Sequence, residues 1–149
     1  MDYALRALAR RPLTQSELRR KLLHRGYEAT EIGECLARLS EMGYLDDRQF
    51  AKDFVDASVC LRPSGRRRLL AELRVKGVPD SIAQREVEVA LPYEREKNLA
   101  MEAAKKRLGT LAKAEPRDLA RRLYQFLLRR GFGSELAKDV VKELIGLEE

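Results

Sequence analysis

An all-α chain of three tandem three-helix repeats, stacked into an elongated, curved array, is the fold class that the sequence predicts. Three observations predict it. No stretch alternates β-branched and aromatic residues between hairpin dipeptides, so strands lack their signal. Gly26, Gly43, Gly77, Gly109 and Gly131 each follow a helical pattern, at the place where a left-handed residue ends a helix at low steric cost. Finally, one twelve-residue segment occurs three times without gaps, as SELRRKLLHRGY at 16–27, RRLLAELRVKGV at 67–78 and RRLYQFLLRRGF at 121–132, with offsets of 51 and 54. In each copy two leucines four apart form a stripe for burial, a glycine ends the helix, and an apolar residue follows it.

The elements follow in order. A first helix runs from Tyr3 to Arg10, and Thr14 with Glu17 has the capping-box spacing that starts the second, which buries Leu18 and Leu22. Beyond Gly26, Ile32, Leu36 and Leu39 form the stripe of a third. The same order returns from Asp46, whose spacing to Gln49 is again that of a capping box: Phe50, Phe54 and Val59, then Leu69 and Leu73 after a cap at Ser64, then Ile82, Val87 and Ala90. A third round places Leu99, Ala103 and Leu108 on the first helix, Leu123 and Leu127 on the second, and Leu136, Val140 and Leu144 on the last, capped by Ser134. All five prolines fall between these helices or at their starts. The expected units are 1–45, 46–91 and 92–149. Each buries little surface alone, so neighbours should share apolar faces.

Composition narrows the function. Hydrophobic residues make up 44% of the chain and charged residues 36%, too apolar for a disordered chain and without a run long enough to cross a bilayer. A net charge of +6 favours acidic partners such as nucleic acid or an acidic protein face. With one histidine, His24, and two distant cysteines, Cys35 and Cys60, a zinc site lacks its ligands. The two thiols suggest a reduced compartment. Residues 1–6 form neither an apolar signal core nor a cleavage site, so a cytoplasmic location is expected.

The chain resembles the RecX regulatory proteins of bacteria, inhibitors of the RecA recombinase, over nearly its whole length. The likeness lies in Ala4-Leu5 through Leu8, Ser16-Glu17-Leu18 and Lys21-Leu22, in Gly43-Tyr44-Leu45-Asp46-Asp47 with Phe50-Ala51, in Gly65 with Leu70, Glu72-Leu73 and Lys76-Gly77-Val78, and in Arg129-Arg130-Gly131-Phe132. The resemblance implies three tandem three-helix repeats in a crescent. It also implies a non-enzymatic regulator that lodges in the groove of the RecA filament on DNA and restrains filament growth, ATP hydrolysis and strand exchange, in DNA repair, recombination and the SOS response. Thr14 stands where serine is expected and Val78 where isoleucine is usual; neither disturbs the fold. No catalytic, cofactor or metal residue carries over.

Several constellations have two readings. The adjacent carboxylates Asp46 and Asp47 could hold a cation, but a cap followed by a first-turn acid accounts for them better. Arg25, Lys76 and Arg130, just before the repeat glycines, complement helix C-termini. Arg66, Arg67 and Arg68 crowd a first turn where the dipole disfavours cations, which points to an anion-contacting role. Replacing them should leave the fold intact. On the third unit Arg117, Arg121 and Arg129, flanked by Arg122 and Arg130, form a basic face that in-register stacking would join to that cluster on the concave side. Tyr27 holds the position of Val78 and Phe132 and is expected in the core, while Tyr3, Tyr44, Tyr93 and Tyr124 could stack on bases. The expected partner is the RecA filament, bound by a monomer through these arginines, with direct contact to DNA left as an open alternative. A helix-turn-helix-like nucleic-acid binder is the rival reading, and an enzyme lacks any nucleophile-base pair, phosphate loop or metal set.

Overall fold

The computed structural model describes residues 1–111 and 113–146, and within them nine helices and no strand. They are α1 (Asp2–Arg10), α2 (Gln15–His24), α3 (Ala29–Glu41), α4 (Asp47–Leu61), α5 (Arg66–Val75), α6 (Asp80–Ala90), α7 (Tyr93–Thr110), α8 (Pro116–Arg129) and α9 (Ser134–Ile145). Three apolar cores divide them into α1–α3, α4–α6 and α7–α9. The repeated leucine pairs are the centre of each: Leu18 and Leu22, Leu69 and Leu73, Leu123 and Leu127 are all buried. On α4 and α7 the residues facing the core are small, Ala51 and Val55, then Ala100, Ala103 and Ala104, with Phe50, Phe54, Leu99 and Leu108 flanking them. Small residues there let the first helix of a unit approach the other two closely.

Gly26, Gly43, Gly77 and Gly131 are left-handed, with φ between 83° and 91°. Gly109 is not. It lies inside α7, which continues because Leu108 and Leu111 both pack on the third core, and that packing outweighs a helical glycine's cost of about 1 kcal/mol. Thr14 and Glu17 form the full capping box. Asp46 caps α4 by accepting from the Gln49 amide, and the return bond is absent. The serine caps are displaced by one residue. Gly65, not the buried Ser64, is the N-cap of α5, and Gly133 is that of α9, with Ser134 its first residue.

The units join by their second helices, C-terminus to N-terminus. The C-terminal end of α8 meets the N-terminal end of α5, where the Gly65 amide donates to the Arg130 carbonyl (2.8 Å) and the Arg67 amide to that of Gly131 (3.0 Å). The C-terminal end of α5 meets α2, where the Thr14 hydroxyl donates to the Lys76 carbonyl (2.6 Å). Orphan carbonyls of one helix thereby satisfy orphan donors of the next, and the dipoles run in one direction. Contact is close. A Cβ on Gly131 would coincide with the Arg68 backbone and Cβ, one on Gly77 with Ser16, and one on Gly65 with the Gly131 backbone.

Each junction also holds a buried carboxylate from the first helix of the following unit. Asp47 accepts from the Gln15 amide (3.0 Å) and Glu96 from the Arg66 amide (3.2 Å), in both cases the first residue of the second helix. One construction therefore fixes both interfaces. The result is an elongated, curved array of three units held in register.

The column also explains Tyr27, expected in the core and found 41% exposed. Its counterparts Val78 and Phe132 are buried, and Gly77 and Gly131 beside them are covered by the preceding unit's helix. Among the described residues no helix packs on the end of α2, and a Cβ on Gly26 would meet open space.

Candidate partner-binding surface

The three arginines that open α5 have separate fates. Arg66 is half-buried: its Nη2 donates to the Leu91 carbonyl (3.0 Å), and its Nε stands 3.7 Å from the Glu96 carboxylate, an ion pair too long for a hydrogen bond. Arg68 pairs with Glu72 one turn on (2.9 Å), and its backbone packs on Gly131. Arg67 is exposed and its side chain has no ion partner among the described residues. The reading of all three as cations removable at no structural cost is therefore corrected. Glu96 balances the first turn, a carboxylate at an N-terminus as the dipole favours.

On α8, Arg117, Arg121, Arg122 and Arg129 are exposed, while Arg130 is half-buried 5.4 Å over the Phe126 ring. Arg121 pairs with Asp118 (3.3 Å) on the same helix. Stacking of α8 on α5 brings Arg129 and Arg130 beside Arg66, Arg67 and Arg68, as in-register packing requires. Arg117, Arg121 and Arg122 are left toward the far end of α8, with Arg121 about 12 Å from Arg129 along the axis. The eight arginines singled out by sequence thus fall into two groups, one at the junction and one toward the N-terminal end of α8.

The bases that precede the repeat glycines do more than complement dipoles. Arg25 lies over the Tyr3 ring at 4.2 Å, and Lys76 over Phe50 and Phe54 at 6.0 and 5.6 Å. In the first two units the C-cap cation therefore rests on an aromatic ring of the first helix. In the third, Arg107 of α7 and Arg130 share Phe126.

Burial pushes the Glu96 carboxyl above the usual range, opposed by the Arg66 amide and guanidinium. Burial raises Asp47 likewise, with the Gln15 amide pulling down and the charges of Asp46 and Glu17 adding to the rise. Asp47 is therefore committed to a junction, and Leu45 beside it is buried as expected. Glu96 was not singled out by sequence. Its signal is a shared spacing, since Asp47 precedes Ala51 and Glu96 precedes Ala100 by four residues, and both alanines are fully buried. His24 and Cys60 are exposed and Cys35 half-buried, with both cysteines free.

Three family models match the chain in sequence order: the first three-helix domain of RecX at residues 1–39, the second at 46–85 and the third at 94–141. The chain belongs to the RecX family. It is 37% identical to the regulatory protein RecX of Chlorobaculum tepidum over 99% of this chain and 89% of that one. With the protein of the same name from Pelodictyon phaeoclathratiforme it shares 36% over 97% and 88%. Among solved structures, RecX from Lactobacillus salivarius superposes with a TM-score of 0.91 at 20% identity, covering 98% of this chain and 94% of that one. The RecX family is one of regulatory proteins. Among the described residues, no helix is long and apolar enough to cross a membrane.

Proposed function

We propose that this RecX-family chain is a non-enzymatic regulator that binds the RecA recombinase filament as a monomer in the cytoplasm. There it slows filament growth, ATP hydrolysis and strand exchange, and so acts in recombination, repair and the SOS response. The observation that carries the reading is the pair of equivalent junctions. They hold three like units at fixed spacing, and a target that repeats along its length is engaged best by a binder that repeats too. Once one unit is bound, the others bind as intramolecular events at high effective concentration.

Arg67 and Arg129 at the junction, with Arg117, Arg121 and Arg122 at the array's end, are the proposed contacts with the filament or its DNA. Arg66, Arg68 and Arg130 support them from the same surface. The test is inhibition of DNA-dependent ATP hydrolysis by the recombinase, for wild type and Arg67→Glu with Arg129→Glu, at low and moderate salt. Loss of inhibition by the folded variant is expected. Unaltered inhibition would assign these arginines to plain surface.

A further inference from the structure

The open end of the first unit holds a cavity of about 870 Å³, within the size range of ligand sites, lined by Tyr3, Arg6, Arg10, Lys21, Arg25 and Tyr27. Arg11 at its edge is paired with Glu17 (3.3 Å), and Asp2 is the one carboxylate on its wall. The four other cations have no carboxylate partner among the described residues; Arg6 reaches only the Asp2 carbonyl, at 3.4 Å. Several cations elsewhere are matched, as Arg66 with Glu96, Arg68 with Glu72, Arg74 with Asp80 and Lys97 with Glu143, and among the described residues the unmatched ones do not line a cavity with aromatic rings. Four like charges converging on one concavity repel one another and create a field that draws in a polyanion.

We propose that this cavity binds a single strand of nucleic acid, with its phosphates on Arg6, Arg10, Lys21 and Arg25 and a base on Tyr27. Arginine forks suit phosphate oxygens, and the cation–π contact with Tyr3 holds Arg25 in place without giving it a counter-ion. The two tyrosines favour a nucleic acid over an acidic polypeptide. Tyr27 is exposed, so its ring is free to stack on a base, and stacking rewards unpaired bases. The site lies on the unit farthest from α8 in the column, and it does not rest on the recombinase reading.

The test is fluorescence anisotropy of a labelled oligothymidylate titrated with the whole chain at two salt concentrations. Variants are Arg10→Ala with Lys21→Ala, Tyr27→Ala, and Lys105→Ala with Lys106→Ala, two exposed lysines of α7, as a charge-matched control, all checked by circular dichroism. The first pair should weaken binding about tenfold and flatten the slope of log affinity against log salt by about 0.7 per cation removed. Tyr27→Ala should weaken it about fivefold or more with the slope kept. Three results would overturn the proposal: unchanged affinity in the Arg10, Lys21 pair, an equal loss in the control pair, or polyglutamate competing fully with no effect of Tyr27→Ala. The last would mark a site for acidic protein. Should the pair fail to fold, Arg10→Ala alone, at an exposed position, carries the same expectation in smaller measure.

Discussion

Gly26 and Gly131 share a backbone conformation and differ in what surrounds them, which makes the pair a direct probe of the junctions. Both are left-handed, with φ of 91° and 89°. Alanine at either position therefore meets the same strain, about 1–2 kcal/mol. At Gly26 a Cβ enters open space. At Gly131 it would occupy the Arg68 backbone, so the N-terminal end of α5 must move. Overpacking of that kind adds about 1–3 kcal/mol. The Gly65 to Arg130 and Arg67 to Gly131 hydrogen bonds would lengthen with it, at about 1 kcal/mol each. Gly26→Ala is expected to cost about 1–2 kcal/mol and Gly131→Ala about 4–7 kcal/mol. At about 2–4 °C per kcal/mol for a chain of this size, the melting temperatures should fall by clearly different amounts. Thermal and urea unfolding followed by circular dichroism measures both. Equal losses would refute the reasoning, since they would show that contact across the junction carries no stability.

Other predictions follow from the same contacts. Phe132→Ala should cost about 3–5 kcal/mol while Tyr27→Ala stays within about 0.5 kcal/mol, a difference read from urea midpoints. Arg66→Glu faces the buried Glu96 and should lower stability by about 1–2 kcal/mol, discounted for the guanidinium's exposure, whereas Arg67→Glu should be neutral; differential scanning calorimetry separates them. Burial raises the folded-state values of Glu96 and Asp47, so the native state holds more protons than the unfolded chain between their ordinary and raised values. Their contribution to stability therefore falls as pH rises through that window and is recovered below it. Glu96→Gln should remove its share of this slope in unfolding curves measured upward from the ordinary carboxylate range; an unchanged slope would show that burial does not raise the Glu96 carboxyl.

The helices were legible because the leucine pairs and the left-handed glycines act locally, within one turn of one helix. Gly109 misled for the opposite reason: its neighbours Leu108 and Leu111 are held by a core that no local pattern reveals. Tyr27 misled because the repeat predicts equivalence of position, whereas among the described residues Gly77 and Gly131 are contacted by a neighbouring unit and Gly26 is not. The arginine cluster was visible as a cluster, but its partner Glu96 lies thirty residues away on another unit. The cap displaced at α5 has the same origin. Gly65 is the N-cap because the Gly131 backbone leaves no room for a side chain, a constraint set by stacking and absent from residues 64–68.

Co-sedimentation with preformed RecA filaments, beside bare single-stranded DNA at the same moderate salt, tests the functional claim most directly. Salt weakens binding through the single cavity of the first unit more than it weakens multivalent engagement, in which several units hold the filament at once. The account predicts that the chain pellets with filaments, slows their ATP hydrolysis, and stays in solution with bare DNA. Equal, steeply salt-sensitive binding to both, with ATP hydrolysis unaffected, would contradict it and favour a plain nucleic-acid binder.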